Sequence, residues 1–213
     1  MAANSSFIDR ILADVDHALR TCFARPTPVR PSPSARYAET DDLAVAEHQE
    51  SIRLMRVNHA GEISAQALYR GQAFATSSDS TRAHLRLAAQ EEQDHLCWCA
   101  ERLEELGGRP SVLAPFWYAG SFAIGVAASF AGDAMNLGFI EETERQVEAH
   151  LDDHLCRLAP KDVRSRAILE EMAVDEARHR EEAAAAGATP IPRICRSLMT
   201  LGGGILRQIA RIL

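Results

Sequence analysis

The sequence predicts an all-α protein, a four-helix bundle whose two helix pairs are joined by a long apolar crossover, with one further helix at each end. Three observations carry that expectation. Alanine and leucine are abundant, β-branched residues are sparse and aromatics make up only 6%, a balance that favours helices over sheets. Apolar side chains recur at helical spacing rather than in strict alternation. Polar, glycine or proline clusters at Thr76–Ser80, Gly107–Pro110, Ala159-Pro160 and Gly187–Pro192 divide the chain where helices should stop. A length of 213 residues, 46% of them apolar and 25% charged, fits one globular domain.

Taken in order, residues 5–23 read as an amphipathic helix with Phe7, Ile8, Ile11, Leu12, Val15 and Leu19 on one side. Pro26, Pro28, Pro31 and Pro33 make Arg25 to Arg36 an extended linker. Residues 1–40 are therefore an appendage, and 41–213 form the main domain. A helix runs from about Asp42 to Ala75. Asp79 or Ser80 caps a second, which ends near Leu106 at Gly107-Gly108. The crossover, 107–133, includes 23 residues from Pro110 to Gly132 without a charge, long enough on paper to span a bilayer. Pro115 and several glycines interrupt it, so packing or an interfacial position is preferred to a transmembrane helix. A third charged helix covers about Asp133 to Leu158. A fourth, capped by Asp162, continues to about Ala186, and 193–213 form a last amphipathic helix. Short turns make each pair antiparallel and the long connection carries the second pair across the first, which is the ferritin-like layout.

A formal charge of -7 argues against a general nucleic-acid binder. The five cysteines, Cys22, Cys97, Cys99, Cys156 and Cys195, have no repeated spacing and read as reduced packing residues, which suits a cytosolic compartment. The N-terminus has no signal-peptide pattern, and Asp9, Asp14 and Asp16 are out of place in a mitochondrial presequence.

The chemistry lies in a repeat. Glu92-Gln93-Asp94-His95 and Glu176-Ala177-Arg178-His179 are both Glu-x-x-His, and an i, i+3 pair lies roughly 60° apart on one helical face. Glu62 lies 30 residues before Glu92, and Glu144 lies 32 before Glu176. Each half thus has a helix with an isolated glutamate followed by a helix with Glu-x-x-His. Four glutamates and two histidines form the ligand set of di-iron and di-manganese bundles. Four carboxylates also neutralise two divalent cations, avoiding buried net charge, and mixed oxygen and nitrogen donors suit iron or manganese. On the third helix Glu148 competes with Glu144, and the repeat selects Glu144. Gly61, costly inside a helix by roughly 1 kcal/mol, suggests a close packing contact or a ligand-side approach. Metal-bound histidines donate their second nitrogen to an acceptor. Asp175 is assigned to His95 and Glu91 to His179, each from the opposite helix; solvent exposure is an equal alternative for Glu91. Arg178 pairs with a carboxylate beneath the site or sits on the surface. His59, His84, His150 and His154 have no repeat partner and read as surface or satisfied histidines. Tyr69 reads as core.

The segments Asn58-His59-Ala60-Gly61-Glu62, Glu91-Glu92-Gln93-Asp94-His95, Glu141-Glu142-Thr143-Glu144-Arg145-Gln146-Val147 and Asp175-Glu176-Ala177-Arg178-His179 resemble the bacterial demethoxyubiquinone hydroxylases of ubiquinone biosynthesis. The resemblance covers nearly the whole chain. It implies a di-iron monooxygenase that uses O2 to hydroxylate the ring of a polyprenyl quinol. Two iron ions per subunit would be held by Glu62, Glu92, His95, Glu144, Glu176 and His179, with Glu92 and Glu176 bridging. Two electrons per turnover must come from outside: from NADH at the site, a reductase or the quinol. A polyprenyl substrate requires contact with a membrane surface. Ile194, Leu198, Leu201, Ile205, Leu206, Ile209 and Leu213 beside Arg193, Arg196, Arg207 and Arg211 describe a helix in an anionic lipid interface. The expected location is the cytoplasmic face of the cell membrane, peripherally bound, with a homo-oligomer left open. The rival readings are a ferroxidase with the same ligands, a di-iron hydroxylase of modified tRNA and a non-enzymatic membrane-associated helical protein.

Overall fold

In the computed structural model, which describes residues 7–25, 27–38 and 43–213, seven α-helices follow one another. They are α1 (Phe7–Phe23), α2 (Val45–Ala75), α3 (Asp79–Glu105), α4 (Ala114–Ser129), α5 (Asp133–Arg157), α6 (Val163–Ala185) and α7 (Arg193–Ala210). There is no strand among the described residues. The expected helix starts at residue 5 and at Asp42, the boundary between 40 and 41, and Pro26 of the linker lie outside the described residues. Within them, α2 begins at Val45, where the Ala44 N–H donates to the Glu47 carboxylate at 2.8 Å.

The helix ends follow local chemistry. Ser78 caps α3 by accepting from the Thr81 N–H at 3.2 Å, so the cap falls one residue before the expected Asp79 or Ser80. Asp162 caps α6 through the Ser165 N–H at 3.1 Å, as its sequence position suggests. Its other contacts make it more than a cap. Arg102 of α3 reaches Asp162 at 2.9 Å and Ser51 of α2 donates to it at 2.5 Å. One buried carboxylate thereby ties together three helices, with its charge met by the Arg102 guanidinium.

α2 pairs with α3 and α5 with α6, and the two pairs meet through α3 with α6 and α2 with α5. This is the ferritin-like bundle. Its core is layered. At one end Leu54, Met55, Trp98, Leu103, Leu151, Ile168 and Met172 pack together. At the other end Leu68, Tyr69, Leu85, Leu137 and Ile140 form a second apolar cluster. The four glutamates and two histidines of the repeat lie at the chain positions between these layers, all buried.

The crossover is a helix packed along α2. A Cβ at Gly125 would lie 2.2 Å from the Leu68 carbonyl oxygen, and one at Gly71 would lie 2.2 Å from that of Phe122. Two glycines therefore let the α2 and α4 backbones touch. Pro115 falls in the first turn of α4, where its missing N–H costs nothing, so it starts the helix instead of interrupting it. No helix among the described residues is long and apolar enough to cross a membrane. α7 rests on α2 and α5, with Leu206 and Ala210 packed against Val57 and Trp117. The Val112 N–H bonds the Leu213 carbonyl at 2.9 Å, joining the crossover to the chain end.

α1 docks with its polar side. Arg70 reaches Asp14 at 2.7 Å, Arg10 donates to the Phe74 carbonyl, and His17 lies 3.3 Å from the Tyr118 hydroxyl. Ile8, Leu12, Val15 and Leu19 are exposed. The amphipathic pattern was legible in the sequence, but its apolar face points away from the bundle.

Two of the histidines without repeat partners are buried. His154 lies 2.9 Å from Asn58 Oδ1, and burial pushes its pKa down to about 3, helped by the nearby positive groups. Unfolded, it takes up a proton near pH 6.5. Its contribution to stability is therefore complete above pH 6.5 and lost as pH falls towards 3. The expected result is a urea midpoint for metal-free protein that falls less between pH 6.5 and 5 in His154→Gln than in the parent. The difference should approach about 1.4 kcal/mol per pH unit.

Candidate metal centre

Each inward glutamate sits on a long helix, and helical spacing sets its direction. Glu62 projects from α2, Glu92 and His95 from α3, Glu144 from α5, and Glu176 and His179 from α6. Two groups could each hold a metal ion: Glu62, Glu92, His95 and Glu176, and Glu92, Glu144, Glu176 and His179. Within each group the candidate ligand atoms all lie within 4.8 Å of one another. Glu92 and Glu176 are common to both groups.

The imidazoles are aimed alike. His95 Nδ1 faces the centre, 3.0 Å from Glu92, 3.4 Å from Glu176 and 3.8 Å from Glu62. His179 Nδ1 lies 3.2 Å from Glu92 and 3.7 Å from Glu176. Their outer nitrogens meet carboxylates from the facing helix: His95 Nε2 lies 3.0 Å from Asp175, and His179 Nε2 lies 2.6 Å from Glu91. Arg178 contacts both of these carboxylates, Asp175 at 3.1 Å and Glu91 at 3.3 Å.

The electrostatics describe a place built for positive charge. Burial pushes Glu62 and Glu144 well above the usual carboxylate range, and the charges of neighbouring glutamates add to the effect. Burial would also raise Glu92, but the adjacent His95 and His179 outweigh it and hold Glu92 low. Burial opposes a charge on His179, yet Glu176 and Glu92 push its pKa up to about 12. Glu62 Oε2, Glu92 Oε1, Glu144 Oε1, Glu176 Oε2 and His179 Nδ1 are buried without a hydrogen-bond partner. Buried polar atoms are ordinarily paired, and metal ions are the partners that fit this many oxygens and inward-facing nitrogens.

Several surrounding residues fall differently from their sequence reading. His59 is buried, burial pushes its pKa down to about 4, and its Nδ1 has no hydrogen-bond partner. It is neither a surface nor a satisfied histidine. A Cβ at Gly61 would meet nothing within 4 Å, so close packing does not account for that glycine. Tyr69 is buried in the apolar cluster. Sequence reasoning missed Arg30 and Asp94. Arg30, from the proline-rich linker, bonds Asp94 at 2.9 Å and Asp175 at 2.6 Å, and such long-range ion pairs leave no periodic signal.

An all-α bundle with four buried glutamates and two histidines on its inner helix faces is, by class, built like the carboxylate-bridged metalloproteins. The family described as Ubiquinone biosynthesis protein COQ7 matches residues 49–206, and the chain belongs to that family. Among its relatives, a Bordetella pertussis protein named 3-demethoxyubiquinol 3-hydroxylase is 54% identical, over 95% of this chain and 91% of its own length. Proteins with the same name from Xanthomonas campestris pv. campestris and Paracidovorax citrulli are 51% and 50% identical, over 95% of this chain and 93% and 98% of their own.

Proposed function

We propose that the protein is a di-iron monooxygenase that hydroxylates the ring of a polyprenyl demethoxyubiquinol with O2 in ubiquinone biosynthesis. The observation that carries this reading is the pair of buried groups sharing Glu92 and Glu176, in a chain about half identical to proteins named for that reaction. Glu62, Glu92, His95, Glu144, Glu176 and His179 would hold two iron ions, with Glu92 and Glu176 common to both groups. Four carboxylates balance the charge of two divalent ions. Iron supplies the redox chemistry with O2 that protein side chains lack.

The chain's own groups do the rest. Asp175 and Glu91 fix the outer nitrogens of the two histidines, which aims each inner nitrogen at the centre, where a metal ion would take the place of its proton. The apolar layers on either side exclude water and fix the helix spacing. One oxygen atom would enter the ring and the other leave as water, which consumes two electrons from an external donor such as NADH or a reductase and two protons, supplied by that donor and solvent. The di-iron domain would be residues 41–213, with 1–40 as its appendage; of the described residues there, α1 packs on α2 and α4 and the 3-10 turn Pro33–Arg36 on α6. Reconstituted protein given iron(II), reductant, demethoxyubiquinol and 18O2 should yield product with one labelled ring oxygen. Unlabelled or absent product would contradict the reading.

The substrate's prenyl tail calls for a lipid-facing surface, and three helices support one. α1 turns Leu12, Val15 and Leu19 outward, α4 turns out Phe116 and Ile124, and α7 turns out Ile194, Leu198 and Leu201. Arg193 and Arg196 add positive charge to α7, as peripheral binding to the anionic cytoplasmic leaflet requires. The protein should float with anionic liposomes. Replacing Leu198 and Leu201 by aspartate should weaken binding at least about 10-fold, since each buried leucine contributes about 1.5–3 kcal/mol. Failure to float, with a dimer in solution, would assign these faces to a second copy.

A further inference from the structure

The linker between α1 and α2 sends one side chain, Arg30, towards the metal centre. It lies before residue 49, outside the segment that the family match covers, yet its Arg30 is bonded on several sides. The Arg30 Nε donates to Asp94 Oδ2 at 2.9 Å, and its Nη2 donates to Asp175 Oδ2 at 2.6 Å. The neighbouring Val29 N–H donates to Asp94 Oδ1 at 2.6 Å. The guanidinium lies over the Trp98 ring at 4.8 Å, and the Trp98 Nε1–H donates to the Arg30 carbonyl at 3.3 Å. Trp98 in turn packs against His95, with ring centroids 5.4 Å apart. Just beyond, Pro33 and Ser34 are buried in a 3-10 turn against α6.

These contacts make the two histidines unequal. Asp175, which meets His95, is 7% exposed and is gripped by Arg30 and Arg178 together. Glu91, which meets His179, is 30% exposed, and among the described residues it has Arg178 as its one cationic partner besides the histidine. We propose that Arg30 is a positioning residue that locks Asp175, and through it His95, so that the linker makes the His95 side the tighter of two unequal metal positions. A planar guanidinium can bridge Asp94 on α3 and Asp175 on α6 at once, whereas a lysine ammonium is a single point charge on a flexible stem. Carboxylates that hold a ligand histidine, as Asp175 holds His95, typically change metal affinity 10–100-fold when lost, and Arg30 acts on His95 through Asp175.

The inference rests on the two-metal reading, and one experiment separates their failures. Metal-free full-length protein is titrated with cobalt(II) without oxygen, following the ligand-field absorption that reports coordination. The parent should bind two ions in two steps of different affinity. In Arg30→Ala the tighter step should weaken about 10-fold, the lower end of the range for losing the Asp175 contact itself, and change its spectrum, with the weaker step and the helical signal unchanged. Arg30→Lys should recover part of the loss. Arg25→Ala, in the same linker but in an exposed pair with Glu104, should match the parent. Equal weakening of both steps, no weakening of either, or a lysine variant equal to the parent would overturn the role of Arg30. A parent that binds fewer than two cobalt ions would instead overturn the two-metal reading beneath it. If Arg30→Ala fails to fold, Arg30→Lys alone decides, with selective weakening of the tighter step expected and parental behaviour contradicting it.

Discussion

Glu176→Ala should abolish hydroxylation and leave a chain that folds. Glu176 belongs to both groups of candidate ligands, so its loss removes a donor from each metal at once. Burial and the charge of Glu92 oppose its ionisation, but His179, His95 and Glu144 outweigh them and hold its carboxyl below the usual range. Removing it takes a compensated charge out of the metal-free core and leaves the His179 imidazolium with one anion fewer. The metal-free variant should therefore keep its helical signal but melt below the parent's temperature, and on the two-iron reading its iron content should fall from two per chain to one or none. Circular dichroism and metal analysis on the same sample read both effects. A variant that keeps two irons would remove Glu176 from the ligand set.

The second large effect concerns packing. Alanine is the better helix former, by about 1 kcal/mol over glycine, yet Gly125→Ala and Gly71→Ala should both destabilise. Each new methyl would meet the backbone of the facing helix at 2.2 Å, with further backbone atoms at 3.0 Å. Backbone in two packed helices cannot yield as a side chain can, so α4 must move away from α2. Overpacking of this kind costs about 1–3 kcal/mol, occasionally more. The double variant should lose about 5–10 °C in melting temperature, at the roughly 2–4 °C per kcal/mol expected for this size. Gly61→Ala, in the same helix, meets nothing within 4 Å and should instead gain about 2–4 °C. Melting curves for the four variants distinguish a close helix contact from simple propensity.

These glycines mark the limit of what the chain alone discloses. The bundle was legible because helix stops are local: Gly107, Gly132 and Gly187 adopt positive φ, and Ser78 and Asp162 cap their own helices. The six inward residues were legible because the Glu-x-x-His repeat is also local, and the bundle brings its two copies to one layer. Gly61 drew attention for its place beside Glu62, and the glycines of the crossover, Gly125 among them, favoured packing over a transmembrane helix; Gly71 went unnoticed because the contact that requires it is between helices. The outward apolar face of α1 followed the same rule. Periodicity identifies a face, but the ion pair between Asp14 and Arg70 decides which way it turns. Arg30 reaches across 64 residues to Asp94 and 145 to Asp175, a link that no window of sequence contains.

The central claim is the reaction itself, and it is most directly tested in a bacterial strain that lacks its own demethoxyubiquinol hydroxylase. The parent chain and Glu176→Ala are expressed in turn and the extracted quinones analysed by mass spectrometry. The account predicts ubiquinone in cells with the parent and accumulated demethoxyubiquinone in cells with the variant. Accumulation of the demethoxy compound in both, with the parent protein soluble and iron-loaded, would contradict it.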